Sequence, residues 1–89
     1  MRLYLSVYRH KLPPTNVVWS VPTTPPQTIA QLLEQVNHII PLESGQWGLE
    51  DYTVEVKGYE CLHFQSVADA FREDDNVAYV KIKDLFDAS

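Results

Sequence analysis

The chain has 89 residues, 45% of them hydrophobic and 21% charged, a composition typical of one compact domain and not of a disordered segment. Twelve acidic and seven basic residues give a net charge of -5, which argues against general binding to a phosphate backbone. Cys61 is the single cysteine, so an internal disulfide is excluded and an intracellular protein is expected.

The first segment predicts a β-hairpin. Residues 2–9 alternate between apolar and polar or aromatic side chains, as in a strand with one buried face. Two prolines interrupt this pattern within residues 11–15, and residues 16–21 (NVVWSV) are rich in β-branched and aromatic residues, which predicts the returning strand. The inward side chains are predicted to be Leu3, Leu5 and Val7, then Val17, Trp19 and Val21, with the register of residues 16–21 left open.

Residues 28–41 (TIAQLLEQVNHIIP) predict the main helix. Thr28 with Gln31 has the spacing of a capping box, although Thr24 with Gln27 offers the same spacing about one turn earlier. Pro41 is expected to end the helix. Apolar residues recur at helical spacing and predict a single buried stripe. Its members are Ile29, Leu32, Leu33, Val36, Ile39 and Ile40.

The second half of the chain predicts shorter elements. Residues 42–51 predict a loop, residues 52–62 a hairpin, residues 66–71 a one-turn helix and residues 73–76 a polar turn. Residues 77–83 (VAYVKIK) predict the last strand. Its inward side chains are predicted to be Ala78, Val80 and Ile82.

These elements predict an α+β fold in the order ββαββ-short helix-β, with a mixed sheet of four to five strands packed on one main helix. The first and last strands are predicted to be parallel central neighbours, because the helix must cross the sheet to bury its stripe. The domain is expected to span residues 1–83, with residues 84–89 as a tail or linker start. The predicted core comprises Leu3, Leu5, Val7, Trp19, Leu32, Leu33, Val36, Ile40, Val54, Leu62, Val80 and Ile82.

This order resembles the ubiquitin-like β-grasp superfamily. The resemblance is carried by the strand at residues 2–9, the helix opening at Thr28, the helix end at residues 39–41 and the closing segment at residues 67–82. The stretch WGLEDYTVEV, with ECLHF and REDDNV, is similar to the N-terminal ubiquitin-like segment of long fungal proteins, whose layout is similar to the N-terminal domain of coilin. The resemblance implies a nuclear scaffold or self-association module heading a larger protein.

The chain departs from conjugating ubiquitins at its end. The sequence closes with KDLFDAS and has no terminal diglycine to activate. Covalent conjugation is therefore not expected, and a fixed domain within a larger protein is favoured.

No residue pattern predicts catalysis, a cofactor or a metal. Cys61 and His63 would share a face of one strand, but the sequence offers no cation to lower the thiol pKa, and a buried structural cysteine is favoured. The spacing of the three histidines matches no metal motif, and the acidic turns lack the spacing of a calcium loop. We therefore expect a domain that is not an enzyme.

The sheet face turned away from the helix predicts a binding surface. Tyrosine and arginine are enriched at interface hot spots, although tyrosines also suit exposed strand positions in general. The predicted protein-binding residues are Arg2, Tyr4, Tyr8, Val77, Tyr79 and Lys81. The expected function is non-covalent protein-protein interaction or self-association through this face, or through an edge strand. The alternative is an RNA-binding module that stacks bases on the same tyrosines.

Overall fold

A computed structural model describes residues 1–22, 24–71 and 76–83, which form an α+β unit with one five-stranded mixed sheet. The strands are β1 (Arg2–Val7), β2 (Thr15–Ser20), β3 (Tyr52–Val56), β4 (Tyr59–Cys61) and β5 (Asn76–Ile82); the helices are α1 (Ile29–Ile39) and α2 (Val67–Ala70), and a 3-10 turn spans Leu49–Asp51. The predicted class and element order are confirmed. Of the predicted polar turn at residues 73–76, only Asn76 is described, and it is the first residue of β5. The predicted tail at residues 84–89 lies outside the described residues.

The sheet has the strand order β2-β1-β5-β3-β4. β1 and β5 are parallel neighbours, as predicted, and the other three pairs are antiparallel. Leu5 pairs with Val17 on one side and Ala78 on the other, while Val80 pairs with Val54. These registers place the apolar members of neighbouring strands on the same face, which is the face that the core covers.

Helix α1 begins at a complete capping box. The Gln31 amide donates to Thr28 Oγ1 at 3.2 Å, and the Thr28 amide donates to Gln31 Oε1 at 2.9 Å, so Thr28 and not Thr24 is the N-cap. The first two amides of the helix donate to the carbonyls of Gln65 and His63, at 2.9 and 3.0 Å. Because these donors are already used, the start of α1 offers no open position for an anion.

The core lies between the sheet and the two helices. It comprises Leu3, Leu5, Val7, Val21, Ile29, Leu32, Leu33, Val36, Ile40, Leu42, Tyr52, Val54, Cys61, Val67, Phe71, Ala78, Val80 and Ile82. Most of the predicted core is confirmed, and the predicted inward set of β2 is confirmed as well, since Val17 and Trp19 pack against the core. Both are only half-buried, because β2 is an edge strand that lacks a neighbour on one side among the described residues.

Two predicted positions were wrong. Leu62 is 46% exposed, because β4 ends at Cys61 and the alternation of the strand turns the next side chain away from the core. Ile39 is 70% exposed, because the last helical turn directs Ile40 into the core in its place. Ile40 itself has left the helical conformation, with φ -118° and ψ 99°, immediately before Pro41.

Candidate functional site

The sheet face turned away from the core, here called the outer face, carries all six residues predicted to bind protein. Arg2, Tyr4 and Tyr8 come from β1 and its continuation, and β5 supplies Val77, Tyr79 and Lys81. The parallel register places Tyr4 beside Val77 and Ser6 beside Tyr79. All six are exposed except Lys81, which is partly buried. The fold therefore gathers side chains from opposite ends of the sequence on one surface.

Tyr8 and Tyr79 form an aromatic pair on the outer face, beside the end of β1. Their ring centroids lie 6.1 Å apart, with an angle of 30° between the ring planes. Tyr8 follows the last residue of β1, and its amide donates to the Val80 carbonyl at 2.7 Å, which holds it beside β5. Aromatic rings at this separation attract each other weakly and bury a large area when a partner covers them.

An open groove of about 380 Å³ adjoins this pair. Its lining consists of Tyr8, Arg9, Glu55, Gly58, Tyr79, Lys81 and Ile82. Gly58 has φ +83° in the tight turn between β3 and β4, a conformation that L side chains rarely adopt. The volume lies at the lower end of the range of about 300–1,000 Å³ found for ligand pockets, enough to admit one or two side chains of a partner.

Sequence reasoning missed four lining residues of the groove: Arg9, Glu55, Gly58 and Ile82. Glu55 could have been found, because it lies one strand position from Val54 and therefore faces away from the core. The other three depend on how the turn between β3 and β4 and the end of β1 sit beside β5, which no local pattern encodes.

The lysines of the outer face are paired with carboxylates. Lys81 Nζ lies 3.2 Å from Glu55 Oε1, and Lys83 Nζ lies 3.4 Å from Glu60 Oε2. Each pair contributes little stability, typically about 0–1 kcal/mol, but it compensates the positive charge of the lysine. The buried hydroxyl of Thr53, opposite Lys81, has no hydrogen-bond partner among the described residues.

A comparison with known families found one match that covers nearly the whole chain. Residues 1–87 match the family model described as "Domain of unknown function (DUF7357)". The chain belongs to the DUF7357 family. A comparison with curated proteins found no match. In this DUF7357 domain, the described residues include no group of three or more His, Cys, Asp or Glu side chains that could hold a metal ion. None of its described helices has the length and apolar character to cross a membrane.

Cys61 of the DUF7357 domain is buried in β4, opposite Val54. Burial raises the pKa of its thiol, and the charges of Glu60 and Glu55 raise the pKa further. His63 lies beyond the end of β4, and its Nε2 is 2.8 Å from the Tyr52 carbonyl oxygen. Burial and the raised pKa both favour the neutral thiol, which agrees with the interpretation of Cys61 as a structural cysteine.

Thiol labelling of the native domain is expected to be slow. Burial and the raised pKa both lower the concentration of accessible thiolate, so the rate should fall by about tenfold or more relative to an exposed thiol. The reference is Gly45→Cys in a Cys61→Ala background, because Gly45 is exposed and a Cβ added there would meet no residue beyond its chain neighbours within 4 Å. Maleimide or disulfide-reagent kinetics measure both rates, and equal rates would show that Cys61 is accessible.

Proposed function

We propose that this DUF7357 domain is a ubiquitin-like β-grasp module that binds another protein non-covalently through its outer face, as part of a larger nuclear protein. The observation that carries the proposal is the exposed Tyr8–Tyr79 pair beside an open groove. The strand order with a parallel central pair, and one long helix on the opposite face, support the assignment to the β-grasp type.

The partner is expected to insert an apolar side chain into the groove. Tyr8 and Tyr79 would cover it from one side, and each tyrosine loses little conformational freedom on binding because it has only two side-chain torsions. The Lys81–Glu55 pair at the groove gives the partner a cation and an anion to hydrogen-bond. This combination of an aromatic centre with a polar margin is typical of protein interfaces.

RNA binding is the weaker alternative. An RNA site needs cations that are available to phosphates, and two lysines of the outer face already contact carboxylates. The net charge of -5 opposes a polyanion further. The tyrosines alone could stack bases, but the charges around them favour a protein partner.

Tyr79→Ala is expected to weaken partner binding strongly without unfolding the domain. Loss of an aromatic hot spot costs about 2 kcal/mol or more, which lowers the affinity at least about 30-fold. Tyr59→Ala is the matched control, because Tyr59 is highly exposed and pairs with Val56, so its side chain lies on the side of the sheet opposite to the outer face and does not line the groove. Quantitative mass spectrometry of proteins retained from nuclear extract measures the effect.

Three results separate the possibilities. A protein retained by the wild type and Tyr59→Ala, but lost with Tyr79→Ala, supports the proposal. Retention that is sensitive to ribonuclease and falls steeply with salt indicates RNA instead. Equal retention by all three proteins would exclude the groove as the binding site.

A further inference from the structure

In the described part of the chain, the β2 edge of the sheet lacks the usual protection against pairing with another strand. Natural edge strands are kept short or carry charges, prolines or bulges. The opposite edge, β4, has three residues and carries Glu60, whereas β2 has six residues and no charge. The sequence has no charged residue between Lys11 and Glu34, while β1, β3, β4 and β5 each carry at least one.

Along β2, backbone groups bonded to β1 alternate with groups that point to the open edge, and one observed pair shows which residues are which. Met1 and Val21 exchange two hydrogen bonds, 3.0 Å from the Met1 amino group to the Val21 carbonyl and 2.8 Å in the reverse direction. In an antiparallel ladder, hydrogen-bonded pairs alternate with pairs whose amides and carbonyls point outward. The register of β1 with β2 therefore directs outward the N–H and C=O groups of Asn16, Val18 and Ser20.

We propose that two copies of this domain associate by antiparallel pairing of their β2 strands about a two-fold axis at Val18. Asn16 of each copy then faces Ser20 of the other, and Val18 faces Val18. Every outward amide and carbonyl of β2 gains a partner in this register, with each opposed pair exchanging both of its hydrogen bonds. The two sheets become one continuous sheet.

The side chains of β2 fit the same arrangement. Val17 and Trp19 are half-buried at the edge of the core, and the two-fold axis places Trp19 of one copy beside Val17 of the other. On the outer face Val18, which is 58% exposed, meets its equivalent. Aromatic and β-branched cross-strand pairs of this kind stabilise sheets by roughly 0.2–1 kcal/mol each.

Charge favours a second copy at β2 over contact elsewhere. Each copy has a net charge of -5, so two copies repel each other wherever their acidic surfaces meet. The uncharged strand lets the backbones meet without placing like charges opposite each other. The remaining repulsion is long-range and is screened within about 8 Å at physiological ionic strength, so association should strengthen with salt, the opposite of RNA binding.

The pairing closes on itself. An isologous contact uses the β2 edge of both copies, so the assembly stops at two chains. The inference rests on the proposed function only in the premise that the domain makes non-covalent contacts with other proteins. It uses the β2 edge and not the groove, so either proposal can fail without the other.

A dilution series by sedimentation or light scattering tests the dimer. The wild type is expected to change from the mass of two chains to that of one on dilution. Val18→Lys and Val18→Glu should each remain monomeric, because like charges then face each other at the axis, and an equimolar mixture of the two should recover the dimer. Val18→Thr is the uncharged β-branched control and should still dimerise, with circular dichroism confirming that every variant is folded.

Amide exchange gives a second readout that needs no substitution. The amides of Asn16, Val18 and Ser20 should become protected as concentration rises, whereas those of Val17 and Trp19, already paired with β1, should not change. A wild type that is monomeric throughout the series overturns the proposal, as does a dimer that persists in both charged variants or a mixture that stays monomeric. Loss of the dimer in Tyr79→Ala would move the contact to the outer face and overturn the edge pairing while supporting a binding role for that face.

Discussion

Phe71→Ala is expected to lower the free energy of unfolding by about 3–5 kcal/mol, the usual cost of deleting a buried aromatic side chain. Phe71 is 1% exposed and follows α2, where its amide donates to the Val67 carbonyl at 2.8 Å. The substitution keeps this backbone bond but leaves a cavity between α2 and the sheet. Since domains of this size are stable by only about 5–15 kcal/mol, the variant should lie close to the limit of folding.

Phe64→Ala provides the matched control for Phe71→Ala. Phe64 is 78% exposed, so the same substitution seven positions earlier in the chain should change stability by no more than about 0.5 kcal/mol. Urea unfolding followed by the fluorescence of the two tryptophans measures both variants. Equal losses in the two variants would contradict the packing described for α2.

The elements that the sequence predicted well are those with local causes. The capping box at Thr28 and Gln31 is a contact within four residues, so its spacing is visible in the sequence, although only the structure selects Thr28 over Thr24 as the N-cap. The alternation in β1 and β5 likewise predicts which side chains face the core, because the period of a strand is two wherever the strand lies. The parallel pairing of β1 with β5 was predicted because the single long helix must cross the sheet to bury its apolar stripe.

The errors arose where neighbouring apolar residues competed for one position in the core. Ile39 and Ile40 both continue the helical stripe, at spacings of three and four from Val36, and only the exit of the chain before Pro41 selects Ile40. Cys61 and Leu62 compete in the same way, and hydrophobicity favours Leu62. The pairing of Cys61 with Val54 decides the outcome, and that register is a long-range property.

The candidate site was predictable as a face but not as a groove. Alternation alone places Tyr8 and Tyr79 on the side away from the core. Their 6.1 Å separation depends on the parallel register of two strands that lie about 70 residues apart in the sequence. The pairing of Lys81 with Glu55 depends on the register of β3 with β5, so the sequence alone could not show that the charge of this lysine is compensated.

Tyr52→Phe is expected to reduce stability by about 1–3 kcal/mol, although it removes a single oxygen atom. The Tyr52 hydroxyl donates to the Leu42 carbonyl at 2.9 Å within the core, and the hydrogen bond ties the loop after α1 to β3. Phenylalanine fills the same space but leaves the buried Leu42 carbonyl without this donor. Tyr59→Phe, at an exposed tyrosine, should have no measurable effect.

The same hydroxyl makes the stability of the domain depend on pH in the alkaline range. Burial raises the pKa of Tyr52 above its ordinary value of 10.0, Arg9 opposes the rise, and Asp51 adds to it. A raised pKa means that the folded state favours the neutral phenol, so this contribution is complete below pH 10 and is lost as the pH rises through the native pKa. Urea unfolding measured from neutral pH to above pH 10 should therefore show that the free energy of unfolding falls more steeply above pH 10 for the wild type than for Tyr52→Phe. Parallel curves would contradict this prediction, because they would mean that the Tyr52 hydroxyl has the same pKa in the folded and in the unfolded chain.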